Sequence, residues 1–318
     1  MADSACRDRG DVVLVTGGAG FIGRHLAERL TQSGRYQVVS VDRKARRQLA
    51  GEEFVCGDLA DPALYERLSP VSVVYHLAAQ SSARVSLETP FEELRDNIVA
   101  TVRLLEFCRE TAVRKVVFTS SMAVYGEAAD GESLSEDSPL RPASLYGADK
   151  LAAEAYLRVY QQFGLAFTIF RLFNVYGPYQ DMDNLKQGMV SIYLRYIHDG
   201  VEVPVTGALT RYRDFVFVHD VIDALQLALG EPATDNETFN VGTGRRTTVR
   251  ELIDIVAAQY GHGPGTYPVR EVGAHAGDVA GSVASIAKLA SLGWGPRYGL
   301  AAGVGEMVGW LKRARPST

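Results

Sequence analysis

The 318-residue sequence predicts an α/β fold in which helices cover both faces of a parallel sheet. Short apolar runs alternate with helical patterns through the first half of the chain, and this alternation is typical of strand–helix–strand units. A glycine-rich segment joins the first apolar run to the first helical pattern. After residue 173 the pattern changes, because Pro, Tyr, Asp and Gly become frequent and the apolar runs shorten.

The predicted strands and helices follow one another in a regular order. Strands are predicted at the apolar runs 12–15, 38–41, 54–55, 71–77, 116–119 and 167–172. Helices are predicted at the segments 21–32, 62–68, 91–111 and 145–163. Two later apolar runs, 215–218 and 239–241, are expected to return to the main sheet.

The change of pattern divides the chain into two interleaved domains. We expect residues 1–173, with the returning segments near 214–242, to form the domain that contains the main sheet. Residues 174–213 and 243–318 are expected to form a smaller C-terminal substrate domain. This second domain should lie over the carboxyl ends of the strands, where ligands bind in such sheets.

The first apolar run ends in a glycine-rich turn, TGGAGFIG at 16–23. Gly17, Gly20 and Gly23 allow a tight turn that leaves backbone N–H groups at a helix N-terminus, and these groups suit a pyrophosphate. Asp42 ends the next run, where a carboxylate accepts hydrogen bonds from an adenosine ribose. The pattern predicts a Rossmann-type NAD-binding domain, since Asp42 disfavours the 2′-phosphate of NADP, although Arg43 weakens that preference. The alternative is a structural turn in which Asp42 caps a helix.

Segments at the ends of two further strands also suit a dinucleotide. Asp58 either contacts the adenine amino group or caps the helix that follows it. His76 is expected to be packed within its strand, whereas the small Ala78 and Ala79 let a dinucleotide approach the backbone. The cofactor-binding candidates are Gly17, Gly20, Phe21, Ile22, Gly23, Asp42, Arg43, Asp58, Leu59, Leu77, Ala78, Ala79 and Gln80.

The overall composition is that of a globular protein with neither a membrane span nor a nucleic-acid partner. The sequence is 47% hydrophobic, and its net charge of −5 argues against binding to a phosphate backbone. No apolar run is long enough to cross a bilayer, and we find no basic-then-apolar leader. Because Cys6, Cys56 and Cys108 are far apart, we expect a cytoplasmic protein without a metal site.

Tyr146 and Lys150 are the predicted centre of the chemistry. They stand four residues apart in YGADK and therefore share one face of a predicted helix. A tyrosine is a poor base at its ordinary pKa of about 10, but a lysine ammonium one turn away and a cationic nicotinamide ring both favour its ionisation. The pair can then remove a proton from a sugar or alcohol hydroxyl as hydride leaves the same carbon. A serine at the end of the fifth strand can hold that hydroxyl in place.

Together these motifs resemble the extended short-chain dehydrogenase/reductases, specifically the NAD-dependent nucleotide-sugar epimerase/dehydratase family. The resemblance extends from residue 12 to about residue 310. It implies a catalytic triad of Ser121, Tyr146 and Lys150, with Asn97 steadying the helix that supports the site. It also adds Asn97, Tyr146 and Lys150 to the cofactor-binding candidates. It also implies a homodimer formed through a four-helix bundle. The matching motifs are TGGAGFIG at 16–23, HLAAQ at 76–80, SSMAVYG at 120–126, YGADK at 146–150, RLFNVYGP at 171–178 and RYRDFVFVHD at 211–220.

The resemblance further implies that bound NAD oxidises a nucleotide sugar at C4. The resulting ketone leads to C4 epimerisation, to dehydration or, with a uronic acid, to oxidative decarboxylation. The family's 4,6-dehydratases carry an Asp-Glu pair directly after the Ser or Thr of the triad, whereas Met122 and Ala123 stand at those positions here. Neither side chain can transfer a proton, so we favour 4-epimerisation of a UDP-hexose or UDP-N-acetylhexosamine. The alternatives are a UDP-N-acetylglucosamine 5,6-dehydratase, which uses a different acid and base, and a non-catalytic NAD(H) sensor.

The resemblance also implies residues that bind the nucleotide sugar. Asn174 and Arg213 match family positions that contact the diphosphate, and Asp214 suits a charge-assisted clamp with that arginine. The family has a second arginine just before a late Gly-Asp, where this chain has His275, and Arg270 is an alternative cation. Position 282 carries a small residue, which leaves room for an N-acetyl group. The substrate-binding candidates are Arg84, Ser121, Met122, Asn174, Arg213, Asp214, His275 and Ser282.

Overall fold

The computed structural model describes residues 11–81, 88–127, 133–273 and 281–314. The strands of its main sheet are β1 (Val12–Thr16), β2 (Gln37–Asp42), β3 (Glu52–Cys56), β4 (Val73–His76), β5 (Lys115–Ser121), β7 (Ala166–Leu172) and β12 (Glu237–Val241). They lie in the order β12-β7-β5-β4-β1-β2-β3, and every neighbouring pair is parallel. This seven-stranded sheet confirms the predicted α/β class.

The smaller sheets lie mostly in the second half of the chain. Their strands are β6 (Ser133–Leu134), β8 (Asn174–Tyr176), β9 (Val203–Thr206), β10 (Tyr212–Arg213), β11 (Phe215–Phe217), β13 (Thr247–Thr248), β14 (Val269–Val272) and β15 (Gly281–Ala284). One sheet has four strands in the order β13-β10-β15-β6, and the pairs β11–β8 and β14–β9 form two more.

Helices cover both faces of the main sheet, so its strands are apolar on both sides. The α-helices are α1 (Phe21–Ser33), α2 (Pro90–Leu94), α3 (Ala100–Glu110), α4 (Leu145–Tyr160), α5 (Met189–His198), α6 (Val218–Gly230), α7 (Val249–Ala258), α8 (Ala287–Ala290) and α9 (Leu300–Ala314). Val13 and Val15 pack in one core with Leu26 of α1, whereas Leu14 packs in the opposite core with Leu104 of α3. This double burial explains the unbroken apolar runs in the sequence.

Two of the predicted helices differ from the observed ones. The segment predicted at 62–68 is a 3-10 helix, Pro62–Arg67. The long helix predicted at 91–111 is interrupted between α2 and α3 by a π-helical segment, Arg95–Val99. That wider turn contains Asn97, whose side chain hydrogen-bonds the main chain of Gln80. The sequence of this segment favours an α-helix. Where Asn97 contacts Gln80, however, the backbone is a π-helix instead.

One of the two returning segments joins the main sheet and the other does not. β12 pairs with β7, as predicted. The run predicted as a strand at 215–218 is shorter, because α6 begins at Val218, and its strand β11 pairs with β8 in a separate two-stranded sheet. The strand predicted at 215–218 is therefore present as Phe215–Phe217, but the prediction that it returns to the main sheet is wrong. Beyond β7 the chain passes through Phe173 into β8, which lies outside the main sheet, so β11 follows β8 instead.

The helices of the described ranges contain no segment that is both long and apolar enough to cross a bilayer.

Candidate active site

A cleft of about 670 Å³ opens at the carboxyl ends of the main-sheet strands. Its floor is formed by the segments that follow β1, β2, β4 and β5, and its opposite wall by residues 172–191 and Phe215. This is the edge at which parallel sheets bind ligands. The cleft brings together most of the predicted cofactor candidates with the three predicted catalytic residues.

The glycine turn after β1 is too tight for side chains. Gly17 has a φ of +72°, and a Cβ there would lie 2.8 Å from the main-chain nitrogen of Ala78. A Cβ at Gly23 would overlap the carbonyl oxygen of Gly17. Gly20 is the N-cap of α1, and no side chain caps this helix end. The first N–H groups of α1 therefore remain available for an anion, which fits the pyrophosphate of a dinucleotide.

Asp42 lies at the end of β2 and lines the cleft. One carboxylate oxygen accepts a hydrogen bond from the N–H of Ala19 at 3.0 Å, and the other accepts from the N–H of Lys44 at 2.9 Å. These bonds hold the carboxylate beside the glycine turn, and each oxygen keeps a further lone pair for a ribose hydroxyl. The position of Asp42 therefore fits its predicted contact with the adenosine ribose.

The cations and anions around the predicted adenine end are paired with one another. Arg43 forms an ion pair with Asp96 at 2.7 Å, and Arg95 hydrogen-bonds both Asp96 and Asp58. Asp58 lines the cleft, which fits a contact with the adenine amino group. The alternative that Asp58 caps the next helix is wrong, because Asp61 is the N-cap and accepts a hydrogen bond from the N–H of Ala63.

The segment 77–80 forms a wall of the cleft and is held by buried side chains. The hydroxyl of Thr16 accepts hydrogen bonds from the N–H groups of Leu77 and Ala78, and His76 bridges the hydroxyls of Thr16 and Thr101. Burial lowers the pKa of His76 to about 3, so this histidine is neutral and structural, as expected.

Asn97 has a different role from the one expected for a cofactor-binding residue. It is not among the residues that line the cleft in the described part of the chain. Instead, its side chain accepts a hydrogen bond from the N–H of Gln80 at 2.9 Å and donates one to the Gln80 carbonyl at 3.2 Å. Asn97 is buried within the π-helical turn and therefore positions the cleft wall. This corrects the prediction that Asn97 contacts the cofactor directly.

The three predicted catalytic residues meet at the end of β5. Ser121 is the last residue of this strand, and its hydroxyl accepts a hydrogen bond from the N–H of Ala123 at 3.2 Å. Tyr146 lies in the first turn of α4 and hydrogen-bonds Ser121. Lys150 is one turn further along, is buried, and donates a hydrogen bond to the carbonyl oxygen of Thr119 at 2.8 Å.

Burial controls the protonation of this group more strongly than the sequence suggests. It raises the pKa of Tyr146 to about 12, against a lowering by the hydrogen bond with Ser121. It also lowers the pKa of Lys150 to about 8. The Lys150 nitrogen lies 5.9 Å from the centre of the Tyr146 ring. Lys150 therefore does not by itself bring the phenolate into the neutral pH range, because desolvation of the phenol dominates.

Three of the predicted substrate residues contact one another beside the cleft. The sulfur of Met122 lies 3.6 Å from the side-chain nitrogen of Asn174 and 3.4 Å from the hydroxyl oxygen of Ser282. Asn174 lines the cleft, whereas Ser282 is 0% exposed. Neither Met122 nor Ser282 is among the described residues that line the cleft, and Ser282 is connected to it only by way of Met122 and Asn174. This is a correction to the expectation that Ser282 contacts the sugar directly.

Asp214 does not clamp a substrate. It is 0% exposed, and its carboxylate accepts hydrogen bonds from the N–H groups of Thr243, Gly244 and Ala284. The Thr243 hydroxyl is a fourth donor to the same carboxylate. These four hydrogen bonds explain why the carboxylate is tolerated inside the protein. The substrate-binding assignment of Asp214 is wrong, because the carboxylate is used to fix the 243–244 turn against β15.

The predicted cations of the substrate half are spread apart. Arg213 is half-buried, and its guanidinium donates to the carbonyl of Tyr212 at 2.7 Å. Arg270 is 65% exposed in its side chain and forms an ion pair with Glu202 at 2.9 Å, so the structure does not bring it to the cleft. Arg84 and His275 lie outside the described residues.

A buried ionic network beneath the cleft was missed by the sequence analysis. Arg171 on β7 and Glu154 on α4 are 3% and 1% exposed in their side chains, and they pair at 2.7 Å. Glu154 accepts a hydrogen bond from Ser120 at 2.6 Å, and Arg171 donates one to Tyr125 at 3.0 Å. The available signal was an arginine inside an apolar run and a glutamate four residues after Lys150 on the same helix face.

Comparison with known proteins agrees with this geometry. Residues 13–242 match the family described as NAD dependent epimerase/dehydratase family. The UDP-glucose 4-epimerase of Mycolicibacterium smegmatis is 38% identical over an alignment of 315 positions, which covers 94% of this chain and 98% of the relative.

Two solved structures have the same fold over almost their entire length. The UDP-glucose 4-epimerase of Thermus thermophilus, in complex with NAD, superimposes with a TM-score of 0.87 at 38% identity, covering 96% of this chain and 100% of that one. The UDP-N-acetylglucosamine 4-epimerase of Methanobrevibacter ruminantium, in complex with UDP-N-acetylmuramic acid, gives 0.88 at 27% identity, with coverages of 96% and 100%.

Proposed function

The chain belongs to the NAD dependent epimerase/dehydratase family, and from this premise we propose that it inverts C4 of a UDP-hexose or UDP-N-acetylhexosamine. It is an enzyme of that family, and NAD is its cofactor. The observation that carries the proposal is the meeting of Ser121, Tyr146 and Lys150 in the cleft that contains the glycine turn. A protein that only senses NAD(H) has no need of these three side chains.

The residues of the chain provide the proton transfer and the orientation of the sugar. NAD, when bound, supplies a reversible hydride acceptor. Tyr146 takes the proton of the C4 hydroxyl and later returns it, while the Ser121 hydroxyl orients the C4 oxygen. Lys150 is anchored on the Thr119 carbonyl and provides positive charge next to the phenol. A cationic nicotinamide ring favours the phenolate further, which offsets the effect of burial.

The residues after Ser121 favour hydride return over elimination. Met122 and Ala123 offer no acid or base for removing the C6 hydroxyl, so the C4 ketone has one accessible fate, reduction from the opposite face. The sugar must turn over within the site for this to occur. The named relatives are 4-epimerases, which agrees with this outcome and leaves the 5,6-dehydratase alternative without support.

The glycines, Asp42 and Asn174 are proposed from their positions in the cleft, whereas Arg213, Arg84 and His275 are proposed from the resemblance to the family. We assign the NAD pyrophosphate to the turn at Gly17, Gly20 and Gly23 and the adenosine ribose to Asp42. We assign the diphosphate of the substrate to Asn174 and Arg213, with Arg84 and His275 as further candidates. The substrate-binding domain comprises residues 174–213 and 243–318.

We further propose a homodimer formed through the helices around α3 and α4. Large apolar side chains are exposed along this surface, which is unusual for a surface that faces only water. Two such helices from each copy would cover one another as a four-helix bundle. The exposed side chains are Phe91, Leu94, Val99, Leu145, Tyr156, Val159 and Phe163.

We place the protein in the cytoplasm. Cys56 and Cys108 are free thiols within the described residues, and thiols persist in reducing compartments. The net charge of −5 favours a small nucleotide ligand over a nucleic acid as partner.

The proposed function is tested by incubating the purified protein with a panel of UDP- and dTDP-sugars in deuterated water. We expect a product of unchanged mass with inverted C4 and no deuterium at C5, as read by NMR. A product lighter by one water, or recovered substrate with deuterium at C5, would instead assign dehydration. Bound NAD without turnover of any nucleotide sugar would assign a sensor.

A further inference from the structure

Tyr179 adopts a backbone conformation that bulky residues avoid, and it does so in the wall of the cleft. Its φ is +69°, in the left-handed region, where a tyrosine is a steric outlier. Within the described residues, the other non-glycine residues with positive φ are Ala112 and Asn236. These two precede β5 and β12 and therefore lie at the opposite edge of the main sheet. A strained conformation persists only where its surroundings hold it, so the contacts of Tyr179 have to provide that hold.

The ring of Tyr179 is held mainly by α1, the helix that follows the glycine turn. The Arg24 guanidinium carbon lies 3.8 Å from the ring centre, a distance at which a cation and an aromatic ring attract each other. Glu28, one turn along α1, pairs with Arg24 at 3.0 Å and so orients the guanidinium. The His25 ring centre lies 4.9 Å from that of Tyr179, and Trp310 of α9 packs edge-on at 5.8 Å. Three side chains from two helices therefore contact this one ring.

The main chain beside Tyr179 is fastened to α1 as well. The carbonyl oxygen of Pro178 lies 2.9 Å from Nε2 of His25. Because a carbonyl oxygen only accepts, this histidine nitrogen donates the hydrogen bond. His25 is buried, so water does not compete for the bond. We call the unit formed by Arg24, His25 and Tyr179 the tyrosine clamp.

The tyrosine clamp joins the two sides of the cleft. Tyr179 belongs to the wall formed by residues 172–191, whereas α1 begins at the glycine turn of the floor. Phe21, the first residue of α1, lines the cleft, and its ring packs edge-on against His25 at 5.9 Å. The wall and the floor are therefore connected beside the N-terminus of α1, to which we assign the pyrophosphate of NAD.

We propose that Tyr179 is a positioning residue that retains NAD, because the tyrosine clamp holds the cleft wall against the helix of the cofactor site. The inference rests on the proposed function in one respect. An epimerase takes hydride from C4 and returns it to the same carbon, so its cofactor ends each cycle oxidised and needs no exchange. Slow release does not limit such a cycle, whereas loss of the reduced cofactor in mid-cycle would leave the ketone unreduced.

The direct test is the rate at which protein loaded with NAD exchanges it for radiolabelled NAD, without any sugar present. Tyr179→Ala removes the ring and its contacts, and should raise the dissociation rate about 10-fold or more. Tyr179→Phe keeps the ring over the guanidinium and should stay within about threefold of the parent. Equal dissociation rates in the parent and in Tyr179→Ala would overturn the proposal.

Two arginine variants separate the clamp from a general loosening of α1. Arg24→Gln removes the cation from the Tyr179 ring and should raise the dissociation rate about 3- to 30-fold. Arg29→Gln removes an arginine of the same helix that pairs with Asp223 at 3.0 Å, and should leave the rate unchanged. Equal acceleration by both variants would assign the effect to loosening of α1 and contradict the proposal.

Tyr179→Gly distinguishes the side chain from the strained backbone. Glycine adopts a positive φ without strain, so this variant relieves the backbone but lacks the ring. We expect it to release NAD as fast as Tyr179→Ala does. If it retains NAD as the parent does, the backbone alone holds the wall and the role proposed for the ring is wrong.

These tests separate the inference from the proposed function. If the parent protein turns over no UDP-sugar, the epimerase proposal fails, yet the exchange rates still decide whether Tyr179 retains NAD. If the parent epimerises a UDP-sugar but exchanges NAD within the time of one turnover, the epimerase proposal stands and the retention proposal fails. If Tyr179→Ala does not fold, Arg24→Gln decides the question, because the Arg24 side chain is 39% exposed.

Discussion

The side-chain nitrogen of Lys150 lies 2.8 Å from the main-chain oxygen of Thr119, and this bond fastens helix α4 to the end of strand β5. Ser121 stands two residues after Thr119, and Tyr146 stands one helical turn before Lys150. This bond and the one from Ser120 to Glu154 both join β5 to α4, and together they hold the serine hydroxyl near the phenol. The geometry of the proposed catalytic group depends on a buried cation as much as on Ser121 and Tyr146, the two residues proposed to contact the sugar.

The first prediction concerns Tyr146. Tyr146→Phe keeps the ring in its place but removes the group that moves the proton, so kcat should fall by about 10²–10⁴-fold. Steady-state kinetics with the preferred UDP-sugar measures the effect, and NAD binding should persist. Tyr260→Phe, which removes a hydroxyl bonded to His198 far from the cleft, is the control and should retain parental kcat. A kcat for Tyr146→Phe within a few-fold of the parent contradicts the assignment.

The second prediction concerns Asp42. Asp42→Ala removes the proposed ribose acceptor and should weaken NAD about 10- to 100-fold, since a hydrogen bond to a charged group contributes about 1.5–3 kcal/mol. Isothermal calorimetry on protein freed of its cofactor measures the affinities for NAD and NADP. Asp61→Ala removes a carboxylate that caps the neighbouring 3-10 helix and should bind NAD like the parent. If Asp42→Ala binds NAD with unchanged affinity, the assignment of the adenosine ribose to Asp42 is wrong.

The third prediction concerns the size of the sugar pocket. Because Ser282 is fully buried against the sulfur of Met122, Ser282→Tyr has to displace Met122, which contacts Asn174 of the cleft lining. The variant should therefore lose more activity on a UDP-N-acetylhexosamine than on the corresponding UDP-hexose. Competition between the two substrates in one reaction gives the ratio of their kcat/KM values directly. An equal loss of kcat/KM on both substrates would show that residue 282 does not discriminate between them.

The fourth prediction concerns the buried pair of Glu154 and Arg171. Glu154→Gln leaves the guanidinium inside the protein without its counter-charge, which should cost about 3–5 kcal/mol of the free energy of unfolding. Urea unfolding followed by circular dichroism measures this cost. Glu88→Gln breaks an exposed ion pair with Lys186 and should change stability by about 0–1 kcal/mol. Similar urea midpoints for the two variants would show that the buried ion pair contributes no more to the free energy of unfolding than the exposed one.

Part of the fold and of the candidate site could be predicted from the sequence, because it depends on patterns between residues that are close together in the chain. The apolar runs and the glycine spacing predicted the six strands up to residue 172, the first turn and the NAD site. The i, i+4 relation of Tyr146 and Lys150 holds in any α-helix, so their common face needed no tertiary information. The motifs of the resemblance added Ser121, which lies far from both in the chain.

The sequence by itself determined the sheet and the family, and it predicted the three residues that we propose for the chemistry. Only the tertiary structure decided that Asp214 is buried, that β11 leaves the main sheet, and that Asn97 hydrogen-bonds Glu93 inside the protein. The reason is physical: periodicity and turn chemistry act between neighbours along the chain. Burial and charge pairing depend instead on which distant segments exclude water from one another. The protonation of Tyr146 and Lys150 belongs to this second kind, because desolvation shifts both pKa values more than any neighbour in sequence does.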